Sequence, residues 1–476
     1  MRAKISIAFL LLVSLATSAQ ASVEINASPT KNMNCTGGIC TPTAKKAVLN
    51  TTDLANMLAT GDVKVVTGNG AVTITVSGPF SWTSTHRLTL DAYQTVSFKA
   101  PVEVAGTGAV TVKYNDGGTG GDLIFFNGGK LEFWDIKSKL FINNNRYRLA
   151  QSIKQIREQI RRRTQFIALA NSLDLSGIVY SWSPIADVYG VVEGLGNTIS
   201  NLTITAPPEN RDNFGLVRTL HQSAQIRNIE LLSVNLNIAF GNSIGALVGE
   251  EDSNAVVANS YVTGQLVANG ESIGGLVGLS YGIITRSRAA VAISTSLWAD
   301  VGGLAGGVIG SCYAPPCKSQ IDRSFAAGSV SAGYENGGLV GAAISTAISD
   351  SYATGGATGT VKANFGGLVG WKGDGGSLEN SYSTGAVAGG TDAVVGGSVA
   401  DDEGGTNNSI YWDLDTSGIG DPSQGAGNVA NDPGLTGLTD TQLKSGLPAG
   451  FDPTIWAENP TINNGYPYLI ANPPPQ

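Results

Sequence analysis

Few residues in this chain have the types and spacing that hydrolytic chemistry requires. Only two histidines are present, His86 and His221, and neither begins the His-Glu-x-x-His pattern that binds a catalytic zinc ion. No Gly-x-Ser-x-Gly turn with suitable partners stands out either. The sequence therefore predicts neither a zinc peptidase nor a serine hydrolase.

Two acidic runs are the remaining candidates for catalysis. Glycosidases work with paired carboxylates, and the runs that could supply them here are Glu250-Glu251-Asp252 and Asp401-Asp402-Glu403. Neither run recurs at its position in the repeats described below, so we interpret both as solvated acidic turns. A polysaccharide-processing enzyme stays the alternative, and it would need two or more carboxylates that converge in a groove on adjacent turns.

An acidic segment near the carboxyl end partly matches a calcium-binding loop. Asp413, Asp415 and Asp421 occupy the first, third and ninth positions of that pattern. The twelfth position is Gln424, where the loop needs a bidentate glutamate. Turn formation is the favoured interpretation and weak calcium binding the alternative, and no other metal or cofactor is predicted.

Four cysteines form two local pairs, Cys35 with Cys40 and Cys312 with Cys317. The Cys-x4-Cys spacing matches zinc sites poorly, and no histidine lies nearby. In an exported protein a disulfide within each pair is the expected arrangement, although four cysteines permit three connectivities.

The amino terminus has the features of a secretory signal peptide at residues 1–21. Arg2 and Lys4 precede an apolar segment that is too short to span a bilayer, and the small residue Ala21 precedes the expected cleavage site before Ser22. No later segment is long and apolar enough to cross a membrane as a helix. We therefore expect a secreted or cell-surface protein with no membrane span.

Composition and charge limit the class of partner. Glycine accounts for 63 of 476 residues, charged residues make up only 14%, and the net charge is -8. This composition suits short strands and tight turns, and the negative charge disfavours nucleic acid as a partner.

The elements that must position any site are repeats of about 30 residues. A Gly-Gly-Leu-Val-Gly motif recurs with small changes, and a second motif, Asn-Ser-Tyr-x-Thr-Gly, runs in phase with it from Asn259, Asp350 and Asn380. The centres of the first motif are Leu216, Leu247, Leu276, Leu304, Leu339, Leu368 and, in a decayed copy, Ser398. A fixed period of this length predicts stacked units that bury their apolar faces against their neighbours.

The predicted fold is an all-β, right-handed parallel β-helix with short capping helices. Leu and Val of each motif should stack on their equivalents in adjacent turns and form a continuous core. The rings of Tyr261, Phe325, Tyr352 and Tyr382 should form an aromatic ladder that Arg288 interrupts.

One segment, near residues 149–163, breaks the β pattern. Leu149, Ile153, Ile156 and Ile160 have helical spacing, and the opposite face is strongly basic. We interpret the segment as an amphipathic helix on the flank of the solenoid with a solvated basic face. The alternative is a contact for anionic glycan or lipid headgroups, made through Arg157, Arg161, Arg162 and Arg163.

Residues 191–413 resemble the GLUG-motif repeat family, through the Gly-Asn-x-Ile-Ser-Asn-Leu-x-Ile segment that starts at Gly196 and through the two repeated motifs. Such repeats occur in bacterial surface and secreted proteins, including some immunoglobulin-cleaving peptidases. The part before the helix resembles the β-helix of filamentous-haemagglutinin-type secreted proteins, through Ser81-Trp82-Thr-Ser-Thr and the apolar segment from Val96 to Val104.

The predicted organisation is a signal peptide (1–21), an N-terminal cap with irregular turns (22–145), a helix insertion (146–172), a repeat β-helix (173–400) and a C-terminal cap with a tail (401–476). The predicted function is a non-catalytic scaffold for adhesion or surface interaction, with a host or environmental glycan or a surface protein as partner. A third hypothesis is that the loop at 312–317, in the variable half of the repeat, grips a specific partner.

Overall fold

The computed structural model describes residues 22–475 except 69, 127, 163–164, 209–211, 297, 311–318, 332 and 361. In this part of the chain the protein is a parallel β-solenoid of about 13 turns, as the repeats predict. Its described α-helices are α1 (Thr51–Thr60), α2 (Ile153–Arg161) and α3 (Asp440–Leu443), with a 3-10 turn at Asn463–Gly465. None of the described helices has the length and hydropathy of a membrane span. Ala21, Arg163, Cys312 and Cys317 lie outside the described residues.

The first stack of turns occupies residues 22–142 and has three faces. One face is formed by Ser22–Asn26, Lys46–Asn50, Thr73–Val76, Val96–Phe98 and Leu123–Phe125. A second is formed by Phe80–Trp82, Pro101–Val104 and Lys130–Phe133. The third contains Met33–Thr36, Ile39–Pro42, Val63–Val66, Arg87–Asp91, Ala109–Lys113 and Lys139–Ile142.

The chain then reverses direction before the second stack begins. Asn143 and Asn144 have positive φ angles of 45° and 67°, which asparagine tolerates, and they join Lys139–Ile142 to the antiparallel strand Asn145–Ala150. The open end of the first stack packs on the side of the second. There the Phe133 N–H donates to the Ala170 carbonyl at 2.7 Å.

The second stack has three sheets, which we call the long, eight-stranded and six-stranded sheets. The long sheet contains Phe166–Leu169, Leu173–Asp174, Val179–Tyr180, Val191–Glu193, Thr198–Ser200, Thr203–Ala206, Gln225–Arg227, Glu230–Ile238, Val256–Ala258, Tyr261–Ala268, Ile283–Thr285, Arg288–Ser294, Gln320–Asp322, Phe325–Ala326, Val330–Ser331, Ala347–Ser349, Tyr352–Ala353, Ala357–Thr358, Ser377–Ser383, Val387–Ala388, Thr406–Asp413 and Leu435–Leu438. The eight-stranded sheet contains Ile185–Val188, Val217–Leu220, Val248–Glu251, Val277–Ser280, Ala305–Ile309, Val340–Ile344, Val369–Gly373 and Val399–Asp402. The six-stranded sheet contains Ser243–Gly245, Ser272–Gly274, Asp300–Gly302, Glu335–Gly337, Asn364–Gly366 and Val394–Gly396.

The two sequence motifs have separate structural roles. The Leu and Val side chains of the first motif point into the core, and Leu276 and Val277 are fully buried. The second motif bends the long sheet, because its first residue adopts a positive φ, 50° at Asn259 and 47° at Asn380. The serine that follows is buried, and its hydroxyl accepts the N–H of the serine one turn earlier, as between Ser287 and Ser260 at 3.2 Å. This serine row satisfies backbone groups that the bend would otherwise leave unpaired.

The predicted aromatic ladder is confirmed. Phe325 stacks on Tyr352 and Tyr352 on Tyr382, with ring centroids 4.6 and 5.1 Å apart. Arg288 interrupts the row, and its guanidinium lies 4.3 Å from the centre of the Tyr261 ring. The ladder lies on the outer side of the long sheet, so its rings need a cover.

The carboxyl-terminal segment supplies that cover and does not act as the predicted end cap. The solenoid continues beyond residue 400 through Thr406–Asp413 and Leu435–Leu438, and the chain then folds back along the ladder. Trp456 donates its indole N–H to Asp350 at 3.0 Å, and the Tyr382 hydroxyl donates to the Pro467 carbonyl at 2.6 Å. The short strands Trp456–Ala457 and Tyr468–Leu469 belong to this cover.

Helix α2 closes the open end of the second stack rather than lying on its flank. Ser152 caps it by accepting the Gln155 N–H at 3.2 Å, and Ile153 and Ile156 are buried in the core of the first turn. The helix is shorter than the predicted segment, because Leu149 and Ala150 belong to the preceding strand.

Candidate functional site

The six-stranded and eight-stranded sheets lie side by side along the solenoid, and we call the outer surface where they meet the groove. The last glycine of each Gly-Gly-Leu-Val-Gly motif lies at its bottom, pressed against the six-stranded sheet of the preceding turn. A Cβ on Gly278 would lie 2.6 Å from the Gly249 carbonyl oxygen and would overlap the Ile244 nitrogen, and one on Gly306 would meet Gly278 and Ile273 in the same way. Glycine at these positions therefore allows the two sheets to approach closely.

Two rows of side chains form the walls of this groove, one residue per turn, and some of them, such as Ser243, Ser272 and Glu335, are largely buried. The row on the six-stranded sheet, by strand register, is Ser243, Ser272, Asp300, Glu335, Asn364 and Val394. The row on the eight-stranded sheet is Glu250, Leu279, Gly307, Ala342, Trp371 and Asp401. The rows contact each other through Asn364 with Asp401, and Asn213, one turn before Ser243, contacts Glu250 in the same way.

Carboxyl groups with raised pKa values line the later turns of this groove. Burial raises the pKa of Glu335 to about 7, and the charges of Asp300 and Asp401 add to that effect. Burial, reinforced by Glu271, raises the pKa of Asp300 to about 6. Near neutral pH these groups can therefore donate as well as accept hydrogen bonds.

One amide joins two of these carboxyl groups. The Asn364 Nδ2 donates to Glu335 Oε2 at 2.8 Å and to Asp401 Oδ2 at 3.4 Å. Because both oxygens lie within reach of the same nitrogen, they are no more than about 6 Å apart. The raised pKa of Asp401, caused by burial and then by Glu403, is partly offset by this amide.

An exposed pair of aromatic rings lies at the edge of the same wall. Trp298 is 77% exposed and stacks on Tyr334, with centroids 4.7 Å apart and an interplanar angle of 16°. Trp298 comes two residues before Asp300, and Tyr334 comes directly before Glu335. The ring pair therefore borders the carboxyl-lined part of the groove, on two adjacent turns.

A second polar cluster lies at the first turns of the eight-stranded sheet. His221 contacts Asp187 at 3.1 Å through Nε2 and Asp252 at 3.0 Å through Nδ1, and its ring stacks on Tyr189 at 4.2 Å. Burial alone would raise the pKa of Asp187, but hydrogen bonds from Arg218 and His221 lower it below its usual range. His221, Asp187 and Asp252 link adjacent turns and are only partly exposed, so they stabilise this end of the sheet.

The interpretation of the two acidic runs as solvated turns is wrong. Glu251 and Asp402 belong to strands, and both side chains point inward, in register with core positions. Glu251 is fully buried and accepts from the Ser280 hydroxyl at 2.6 Å. Asp402 pairs at 3.2 Å with Lys372, which is also buried. Only Glu250, Asp252, Asp401 and Glu403 reach the surface, because side chains alternate along a strand.

Replacing Glu251 with glutamine should remove a pH dependence of stability. Burial raises the pKa of Glu251 to about 8, so the folded protein holds a proton that the unfolded chain loses near its ordinary pKa of 4.5. Stability of the wild type should therefore fall between about pH 4.5 and 8, by a few kcal/mol, since one pKa unit is worth about 1.4 kcal/mol. Urea unfolding of both proteins from pH 4 to 9 measures this. Equal stabilities at pH 4.5 with a gap that widens to pH 8 are expected, and a constant gap would contradict the assignment.

The other predicted site residues do not form a metal site in the described part of the chain, where no three potential ligands cluster. Asp413, Asp415 and Asp421 each accept a backbone N–H group, and calcium binding by this segment stays an untested alternative. Cys35 and Cys40 form the predicted disulfide. Arg157 and Arg161 are exposed on α2, and Ser22 begins the first strand.

Sequence reasoning missed the groove because it examined acidic residues as linear runs. Asp300, Glu335 and Asn364 are separated by about one repeat length, and so are His221 and Asp252. Residues one period apart lie side by side on adjacent turns. Aligning the repeats and comparing equivalent positions would have found both sets. The groove also borders the constant half of the repeat, whereas the third hypothesis placed recognition in the variable half.

Comparisons with known proteins identify no family. No protein-family model matches this chain. A segment of 145 residues, 28% of this chain, is 32% identical to halomucin from Haloquadratum walsbyi and spans 2% of that protein's length. Among solved structures, a putative immunoglobulin A1 protease from Bacteroides ovatus is similar at a TM-score of 0.38 and 17% identity, over 64% of this chain and 85% of that one.

Proposed function

We propose that this protein is a secreted or cell-surface β-solenoid that binds an extracellular polysaccharide in the groove between its six-stranded and eight-stranded sheets. The observation that carries the proposal is the exposed Trp298–Tyr334 stack beside Asp300, Glu335 and Asn364. Two stacked and exposed rings form an apolar surface on which a ligand can pack.

The chemistry of the groove suits a sugar polymer. Aromatic rings offer flat apolar faces on which the C–H faces of a sugar ring can pack, and tryptophan and tyrosine also offer a polar group. The Asn364 amide and the carboxyl groups of Asp300 and Glu335 supply donors and acceptors for hydroxyl groups. The groove repeats the same two wall positions turn after turn, so it suits an extended chain better than a compact ligand. By binding a host or environmental glycan in this groove, the protein would serve in adhesion.

Replacing Trp298 with alanine should weaken polysaccharide binding by about tenfold or more, because truncating an aromatic anchor costs at least about 1–2 kcal/mol. The mature chain is first screened on immobilised neutral and acidic polysaccharides, and the affinity for the best one is then measured for each variant. Trp134 is the matched control, since it is 64% exposed but lies outside the groove. Equal losses for Trp298→Ala and Trp134→Ala, or no binding to any polysaccharide, would refute the proposal.

A second candidate function is hydrolysis of the bound polysaccharide. The observation that favours it is the pair Glu335 and Asp401, whose oxygens lie about 6 Å apart at most, with the pKa of Glu335 raised to about 7. Glycosidases use such a pair, one protonated carboxyl as general acid and one carboxylate as base or nucleophile. Assaying the same polysaccharides for release of reducing ends separates the two functions. Turnover that Glu335→Gln abolishes while binding persists supports hydrolysis, and binding without turnover supports the scaffold.

A further inference from the structure

A separate cleft of about 770 Å³ lies between helix α2 and the strand Ile185–Val188. Arg157, Ile160 and Arg161 line it on the helix side, and Ala186 and Tyr189 line it on the strand side. It belongs to the first turn of the second stack, whereas the six-stranded sheet that walls the polysaccharide groove begins later, at residue 243. Its volume falls within the range of ordinary ligand-binding pockets.

The strand in this cleft is an edge strand. Ile185–Val188 is the first strand of the eight-stranded sheet and pairs on one side only, with Val217–Leu220. The register joins Ile185 to Val217 and Asp187 to Thr219. Backbone groups of successive residues point to opposite sides of a strand, so the N–H and C=O of Ala186 point away from the sheet and towards the cleft.

Edge strands of this kind usually need protection, because their unpaired backbone groups attract another strand. At this position the preceding turn contributes α2 rather than a strand, and a helix cannot pair with the sheet. The cleft therefore leaves space beside the edge, between a strand and a helix, where an extended segment can lie.

The charges around the cleft indicate which kind of extended segment it binds. Arg157 and Arg161 are exposed, and neither forms an ion pair with any residue that the structure describes. Residues 130–163 contain ten basic and three acidic residues, although the whole chain has a net charge of -8. Asp187 is the carboxylate among the described lining residues, and Arg218 and His221 already bind it at 2.9 and 3.1 Å. The two arginines are thus available to an acidic partner.

We propose that this cleft binds an extended acidic peptide segment of a partner protein, which adds as a strand to the edge at Ile185–Val188. Main-chain hydrogen bonds to Ala186 hold the peptide in register, and its acidic side chains face Arg157 and Arg161. Tyr189 packs against the peptide at the end of the cleft, and its own position is fixed by the stack on His221. Strand addition between an edge strand and a helix is an established mode of peptide recognition.

Fluorescence anisotropy with a labelled ten-residue peptide of alternating Glu and Val tests the proposal on the full mature chain. Arg157→Gln/Arg161→Gln should weaken binding by about tenfold or more, since it removes both charged partners of the acidic side chains. The matched control is Lys154→Gln/Arg162→Gln, which removes the same charge from α2 and the residue directly after it, both outside the described lining. If both double variants lost the same affinity for the peptide, the net charge of the helix alone would explain the effect, and the proposal would be overturned.

Two further arms test strand addition itself. A peptide N-methylated at alternate residues keeps its charge but loses half its main-chain donors, and it should bind about tenfold more weakly than the parent. Ala186→Pro removes the donor that faces the cleft without removing a ladder bond, and it should have the same effect in a protein with an unchanged melting temperature. Unaltered binding in both arms overturns the proposal, as does preferential binding of a control peptide in which lysine replaces each glutamate. Self-association that competes with the peptide would reassign the edge to a second copy of this chain.

Discussion

Gly306→Ala should lower the free energy of unfolding by about 4 kcal/mol or more, which is the range of the most damaging single substitutions. The added methyl group would overlap the Ile273 nitrogen and lie 2.7 Å from the Gly278 carbonyl oxygen. Both atoms belong to backbone that is hydrogen-bonded within the stack, so neither can move without separating the six-stranded and eight-stranded sheets. Chemical unfolding followed by circular dichroism measures the loss.

Gly61→Ala is the matched control for this substitution. Gly61 follows helix α1 in an extended conformation, with φ -170°, and a Cβ there meets no atom within 4 Å. Its substitution should change stability by no more than about 0.5 kcal/mol, as for other unconstrained surface positions. If Gly306→Ala were as mild as Gly61→Ala, the close approach of the two sheets at the bottom of the groove would be disproved.

Lys372→Met should destabilise the protein by about 3–5 kcal/mol, because it leaves the buried Asp402 carboxylate without its cation. Lys372 Nζ lies 3.2 Å from Asp402 Oδ2 and donates to Asn407 Oδ1 at 2.8 Å, and both charged side chains are almost completely buried. Removing one member of such a pair costs more than the pair contributes, since the remaining charge has lost its hydration.

The double variant Lys372→Met/Asp402→Leu distinguishes a lost ion pair from a general loss of packing. Replacing both charges with apolar groups of similar size should restore most of the stability lost in Lys372→Met, since buried ion pairs often contribute little net free energy. A double-mutant cycle of unfolding free energies measures the coupling. Additive losses in the double variant would show that Lys372 acts through its hydrocarbon chain alone.

The sequence was sufficient to predict the architecture, because the core consists of residues that recur. Leu276 and Leu304 repeat with the period of the solenoid and are fully buried, as are the ring of Tyr352 and its stacking partner Tyr382. Where the same residue type has the same structural role in each turn, its recurrence in the sequence is enough to predict that role. The disulfide between Cys35 and Cys40 was predictable for a different reason, since its short spacing leaves few alternatives.

The groove and the cleft could not be predicted in this way, because their residues do not recur. Asp300 and Glu335 replace the serines of earlier turns, and the hydrophobic pattern contains no sign that Trp298 and Tyr334 form a pair. The cover over the aromatic ladder has no period either, so its position depends on tertiary contacts such as that between Trp456 and Asp350. Helix α2 was predicted from its spacing, but its place at the end of the stack depends on the strands that follow it.

The spacing of the turns has a consequence for how a polymer would sit in the groove. Neighbouring strands are about 4.8 Å apart, so equivalent wall positions repeat along the groove at that interval. If all turns were identical, a polymer whose repeat matched this interval could shift by one turn and keep the same contacts. Trp298, Glu335 and Asp401 each occur on one turn alone, and they would therefore fix the register of the bound polymer. The irregular turns, rather than the repeated ones, would determine where along its length a chain is held.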